Sequence, residues 1–265
     1  MRASMIQIDV NPYESVETRR ERVAGLVREQ AGADLVVLPE LWPVGAFAYE
    51  LFEEYAEAVD GPTMTAMAAA AAAASVWLHA GSIVERGADG TLYNTSVVLG
   101  PDGVRRSVYR KIHRFGFDKG EAAMMGAGDA IATVALPTAT AGLATCYDLR
   151  FPELFRQLTD AGSELLIVPA GWPARRREHW TLLSRARAVE NQAYVLACCS
   201  AGTHAGVEQA GHSQIVDPWG EVLAEAGEGE EVLTAELDPA RVAQVRAAFP
   251  VLRDRVLGLA DPRSA

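Results

Sequence analysis

Two kinds of apolar pattern alternate along this chain: short runs of strand length, and stripes at the three- and four-residue steps of a helix. SMIQIDV (4–10) alternates apolar and polar positions and predicts a strand, while ESVETRRERVAGLVREQAG predicts a helix that stops at Gly32. ADLVVLPE (33–40) is a continuous apolar run closed by a carboxylate, the pattern of a strand buried on both faces. The alanine-rich MTAMAAAAAAASVWLHA (64–80) predicts a packed helix running into a strand. LYNTSVVLGPDGVRRSVYRK (92–111) predicts a hairpin turning at GPDG.

The second half repeats the alternation. AGLATCYD (141–148) predicts a buried strand and FPELFRQLTDAG a helix. SELLIVPAGWP is a strand, REHWTLLSRARAVENQ a helix and AYVLACCSAG a strand. HSQIVDPWGEVLAEAG is a second hairpin turning at DPWG, EEVLTAELD a last strand, and PARVAQVRAAFP a final helix with Pro239 at its first position. There is no internal repeat and no Ser/Gly/Pro-rich linker, so the pattern predicts one α/β domain of mixed sheets covered by helices. Three reactive side chains fall at predicted strand ends: Glu40, Lys111 and Cys146. α/β proteins build sites at strand ends along one sheet edge.

Charge narrows the partners. A formal charge of −11 opposes nucleic acid or an anionic membrane as the main partner, since both reward basic surfaces. The N-terminus enters its first strand without a long apolar leader, and the longest apolar stretch is mostly alanine, a poor membrane anchor. Cys146, Cys198 and Cys199 have neither a disulfide pattern nor metal-ligand spacing. The expectation is free thiols in a reducing cytoplasm, and no metal.

A thiol becomes a nucleophile when a base takes its proton or a cation stabilises the thiolate. Glu40 is the carboxylate candidate for that base, and His113, His179, His204 and His212 are others that could approach in space. Lys111 would stabilise an oxyanion. Each also has an ordinary reading: Cys146 as a small core residue, Glu40 as a cap or salt bridge, Lys111 as a solvated charge, Trp172 as packing. Arg175, Arg176 and Arg177 read as a solvated helix start or as a carboxylate site.

Taken together, these stretches resemble the nitrilase superfamily, the carbon–nitrogen hydrolases, from about Met5 to Asp238. LVVLPE resembles the family's glutamate block, YRKIH its lysine block and CYDLRFPEL its cysteine block. HWTLLSRARAVENQAYV and HSQIVDPWGEVLAEA resemble two structural blocks, in the family's order. The resemblance implies a four-layer α-β-β-α sandwich filling residues 1–265. It implies Glu40 as general base, Lys111 as oxyanion holder and Cys146 as nucleophile, and a second glutamate that falls on Glu121 in FDKGEAAMMGAGD. The N–H of Tyr147 becomes a second oxyanion donor. Asp148, Arg150 and Glu153 would fix the elbow at the cysteine. No cofactor is implied, and a homodimer or higher homo-oligomer is. The tail 249–265, with Val251, Leu252, Val256, Leu257 and Leu259, is expected to dock, on its own chain or on a partner subunit.

CYDLRFPEL and AGWPARRREHW are most similar to the small amidase branch, which includes ω-amidases. That implies a small amide substrate carrying a carboxylate, met by Trp172 and Arg175. N-carbamoyl amino acid hydrolysis and nitrile hydrolysis would use the same Glu-Lys-Cys set, and a binding protein that had lost catalysis would share the fold. Arg114, and Cys199 with Ser200, depart from that branch at regions expected to border the pocket.

Overall fold

The computed structural model describes residues 1–116 and 118–257. Phe117 and Leu259, both within segments read above, lie outside the described residues. The first half runs β1 (Arg2–Gln7), α1 (Val16–Arg28), β2 (Leu35–Val37), α2 (Phe52–Tyr55), α3 (Pro62–Ala74), β3 (Trp77–Arg86), β4 (Leu92–Leu99) and β5 (Arg105–Arg110). Next come α4 (Glu121–Met124), β6 (Ala132–Ala135), β7 (Thr140–Leu143), α5 (Pro152–Asp160), β8 (Leu165–Ala170), α6 (Arg177–Asn191) and β9 (Tyr194–Cys199). The chain closes with β10 (Thr203–His204), β11 (Val207–Glu208), β12 (Gln214–Val216), β13 (Val222–Glu225), β14 (Glu231–Glu236) and α7 (Arg241–Ala248).

Two six-stranded sheets result, in the orders β14-β1-β2-β3-β4-β5 and β13-β12-β9-β8-β7-β6. β1, β2 and β3 are parallel in the first; β7, β8 and β9 are parallel in the second. Alternation inside the apolar runs sorts their side chains between two faces. Met5, Leu35 and Val37 meet Leu143, Leu165, Ile167 and Leu196 in the core between the sheets. Ile6, Val36 and Leu78 point outward under Val23 of α1 and Met67, Ala70 and Ala71 of α3. Leu166, Val168 and Val195 point outward under Leu154 and Leu158 of α5 and Trp180 and Ala188 of α6. The layers are therefore helix, sheet, sheet, helix.

Local signals explain the covering helices. Ser15 accepts the N–H of Thr18 at 3.2 Å and caps α1. Pro62 opens α3, whose alanines let the helix lie close on β3. Four boundaries differ from the sequence pattern. α1 ends at Arg28, four residues before Gly32. Pro239 lies in a turn ahead of α7 rather than at its first position, because Asp238 already bonds the N–H groups of Ala240 and Arg241 there. β2 and β7 stop at Val37 and Leu143, each three residues before its reactive side chain. Among the described residues no helix is long and apolar enough to cross a membrane. The tail turns back onto its own α5, where Arg255 clasps Asp160 with contacts of 2.6 and 2.9 Å.

Candidate active site

Glu40 stands in the turn beyond β2, and β3 shapes that turn. The register of β3 on β4 shifts between His79 and Ser82. Within that bulge Gly81 takes φ +67, and a Cβ there would come 2.0 Å from the Pro39 carbonyl oxygen. Trp42 Nε1 donates to the Ala80 carbonyl at 2.9 Å, and Leu41 N to Ser82 Oγ at 2.9 Å. The bulge thus clamps the residues on both sides of Glu40.

Lys111 is the first residue past β5, yet its N–H still reaches across to the Asn94 carbonyl of β4 at 2.9 Å. Glu121 opens α4. Arg114, whose guanidinium donates to the carbonyls of Ala122 (3.2 Å) and Met125 (2.6 Å), ties that short helix down. Cys146 begins a tight 3-10 turn, Cys146–Arg150, in the left-handed region at φ 48. Asp148 makes the elbow. Its carboxylate accepts Tyr109 Oη at 2.7 Å, Thr145 N at 2.9 Å and His113 N at 3.0 Å, and pairs with His113 Nδ1 at 2.7 Å.

These turns converge. Lys111 Nζ lies 2.7 Å from Glu40 Oε1 and 2.7 Å from Glu121 Oε2. Asn94 Nδ2 donates to the same two carboxylates, 2.8 Å to each. Glu40 Oε2 accepts Gly171 N at 2.8 Å, and Glu121 Oε2 accepts Phe115 N at 2.9 Å. Cys146 Sγ faces the Gly171 carbonyl at 3.7 Å. All four reactive side chains are buried.

Burial and charge set the protonation states. Burial alone would lower the Lys111 pKa, but Glu121 and Glu40 outweigh it and hold the group well above its ordinary value, so it is an ammonium. Burial raises Glu121, with Glu40 adding to the rise and Lys111 opposing it. Burial, then the Glu40 charge, push the Cys146 thiol well above its ordinary range, against Lys111. The resting sulfur is therefore a thiol, and attack requires its proton to leave in the same step. The arrangement supplies a nucleophile, a carboxylate to take its proton and a fixed cation for developing negative charge. Among the described residues no cluster of three or more His, Cys, Asp or Glu is placed to hold a metal ion.

The cleft above this group is lined by all four residues and by Phe47, Tyr49, Phe115, Tyr147, Arg150, Gly171, Trp172 and Arg176, among others. A model of the carbon-nitrogen hydrolase family matches residues 2–247. The chain belongs to that family. It is 43% identical over 257 residues to the 2-oxoglutaramate amidase of Paenarthrobacter nicotinovorans, covering 94% of this chain and 87% of that one. It is 38% identical over 270 residues to the human omega-amidase NIT2, covering 96% and 94%. Among solved structures, XC1258 of Xanthomonas campestris, a CN-hydrolase superfamily protein with an arsenic adduct in its active site, superposes with a TM-score of 0.90. That match has 31% identity and covers 98% of this chain and 99% of that one. Nit3 of Saccharomyces cerevisiae, from branch 10 of the nitrilase superfamily, gives 0.86 at 30% identity, covering 100% and 97%.

Within this carbon-nitrogen hydrolase, Glu40, Lys111, Glu121, Cys146, Tyr147 and Trp172 all reach the cleft. Arg175 does not: it is exposed, and Arg176 takes the lining position. The reason is the tight turn Ala174–Arg176, which sends neighbouring side chains in different directions. Arg150, read from sequence only as an elbow residue, also lines the cleft. Neither Arg114, Cys199 nor Ser200 does, and no histidine does. Asn94 was missed by the sequence reading. Its signal was faint: a polar residue inside a strand, beside the register position of Lys111.

Proposed function

We propose that the protein is a cysteine-dependent amidase that releases ammonia from a small amide carrying a carboxylate, of the 2-oxoglutaramate kind. The observation that carries this reading is the buried Lys111 Nζ bridging Glu40 and Glu121, at 2.7 Å to each, in the cleft that also holds Cys146. The activities named for the two relatives support the substrate class.

In the proposed reaction Glu40 takes the thiol proton as Cys146 Sγ bonds to the amide carbon. Lys111 Nζ and the N–H of Tyr147 hold the oxyanion, while Glu121 keeps Lys111 aimed. The tetrahedral species collapses as Glu40 gives its proton to the nitrogen, the C–N bond breaks and ammonia leaves. A thioester on Cys146 remains. Water attacks it, Glu40 takes the water proton, the C–S bond breaks to free the acid, and the proton returns to sulfur. The sum is amide plus water giving acid plus ammonia.

The test is ammonia release from 2-oxoglutaramate, succinamate, an N-carbamoyl amino acid and a simple nitrile, each with wild-type and Cys146→Ala protein. Turnover of the ω-amides, lost in the variant, supports the reading. Turnover of only the carbamoyl compound or nitrile keeps the site and discards the substrate class. Two further proposals accompany this one. The three unpaired thiols suit a reducing cytoplasm. Self-association into a homodimer would cover the apolar patch that includes Leu182, Val189, Trp219 and Phe249.

A further inference from the structure

Two guanidinium groups face the cleft, and neither meets an acid. Elsewhere buried and half-buried arginines find acceptors: Arg19 and Arg22 on Glu14, Arg187 on Glu190, Arg241 on Asp217, and Arg156 and Arg246 on backbone carbonyls. Arg150 and Arg176 have no carboxylate partner among the described residues, in a chain of net charge −11. They are held on aromatic faces instead. Arg150 lies 4.8 Å over the Trp172 ring and Arg176 5.3 Å over the Phe115 ring. Stacking fixes a guanidinium through its face and leaves the in-plane N–H groups free to grip a carboxylate in a fork.

The two arginines are not equivalent. Arg150 belongs to the elbow and one of its nitrogens already touches His179 Nδ1 at 3.3 Å. Arg176 has a fixed backbone, because its carbonyl accepts Trp172 Nε1 at 2.8 Å, while among the described residues no side-chain hydrogen bond engages its head. Its pKa is pushed down by burial, then by the charges of Arg175 and Arg150, which an incoming anion would relieve. Among the described residues the head is thus a fork with no acidic partner, on the wall of the same cleft that Cys146 lines.

We infer that Arg176 is the specificity-determining residue that grips the substrate carboxylate while the amide end reaches Cys146. This rests on the amidase reading above and adds to it the residue that selects the acid. An ammonium at this place would supply charge without the fork, so Arg176→Lys recovers only part of the effect.

The test measures binding to the inactive Cys146→Ala protein by calorimetry, with Arg176 intact, Arg176→Ala or Arg176→Lys. The probes are 2-oxoglutaramate and valeramide, a neutral amide of matching length. Removing a desolvated charge partner commonly costs enough to weaken binding about 100-fold. The expected result is that loss for 2-oxoglutaramate with Arg176→Ala, partial recovery with Arg176→Lys, and valeramide binding unchanged. In the active background the same change raises KM and leaves kcat within about threefold. If 2-oxoglutaramate binds equally well with and without Arg176, the inference is wrong and the amidase reading stands. If wild-type protein turns over only neutral or carbamoyl substrates, the reading beneath it fails instead. An equal loss for both probes would mark Arg176 as a structural residue and overturn the inference.

Discussion

Asn94 and Lys111 lie side by side across two antiparallel strands and reach the same two carboxylates. The Asn94 carbonyl accepts the Lys111 N–H at 2.9 Å, and each side chain then contacts both Glu40 and Glu121. One neutral donor therefore aligns two negative groups that Lys111 alone would pull into a looser triangle. Hydrogen bonds to charged groups contribute about 1.5–3 kcal/mol each. Asn94→Ala is expected to lower kcat about 10- to 100-fold and to lower Tm by several degrees, read by ammonia release and a thermal melt. Asn94→Asp adds a third carboxylate to the cluster and is expected to do worse than alanine. Equal activity in all three proteins would remove Asn94 from the account.

Gly81 gives a second test, remote from the chemistry. Its backbone is left-handed, and a methyl group there would meet Pro39 O at 2.0 Å and Trp42 Cδ1 at 2.9 Å. Neither neighbour is the free end of a flexible chain. Gly81→Ala is expected to push the turn that carries Glu40, with a loss of activity exceeding the loss of stability. Comparison of kcat with the urea midpoint checks it.

Acid sensitivity should come from two buried histidines outside the cleft. Burial lowers His79 to about 4, and burial with the Arg19 charge lowers His204 to about 4. Below their ordinary value near 6.5 the unfolded chain binds protons that the folded chain refuses. Stability contributed by each is present above pH 6.5 and is lost as pH falls toward 4, on the order of 3 kcal/mol per group. His204→Phe, whose ring would still pack on Phe47, is expected to flatten the fall in unfolding free energy between pH 6.5 and 4.5 by about half. An unchanged slope would contradict it.

The self-association proposal is checked by light scattering. Leu182 and Val189 lie seven residues apart on one face of α6 and are 65% and 52% exposed. Leu182→Glu combined with Val189→Glu is expected to convert a dimer to a folded monomer. A wild-type protein that is monomeric at micromolar concentration would contradict it.

How much of this could be read from the chain depends on what kind of signal each residue leaves. Glu40 and Cys146 each close an apolar run and Lys111 closes the second arm of a hairpin with a clear GPDG turn, so all three stand at visible breaks in the pattern. β6 and α4 escaped because four residues hold less than one full pattern repeat, and β6 alternates burial with exposure at a sheet edge. Which of Arg175, Arg176 and Arg177 lines the cleft is not legible in the sequence, because three consecutive arginines carry no phase. Only the turn after Pro173 decides which one points inward. Asn94 and the Phe115 plate are visible only through tertiary contact. Their roles depend on strands and loops that sequence periodicity cannot bring together.

The central claim is that Cys146 carries the acyl group. Intact-mass measurement on wild-type protein quenched in acid during turnover of 2-oxoglutaramate, followed by peptide mapping, tests it directly. The account predicts an adduct of the acyl mass on the peptide holding Cys146, absent from Cys146→Ala and removed by hydroxylamine. An active protein that shows no adduct, and keeps its ammonia release when Cys146 is alanine, would contradict it.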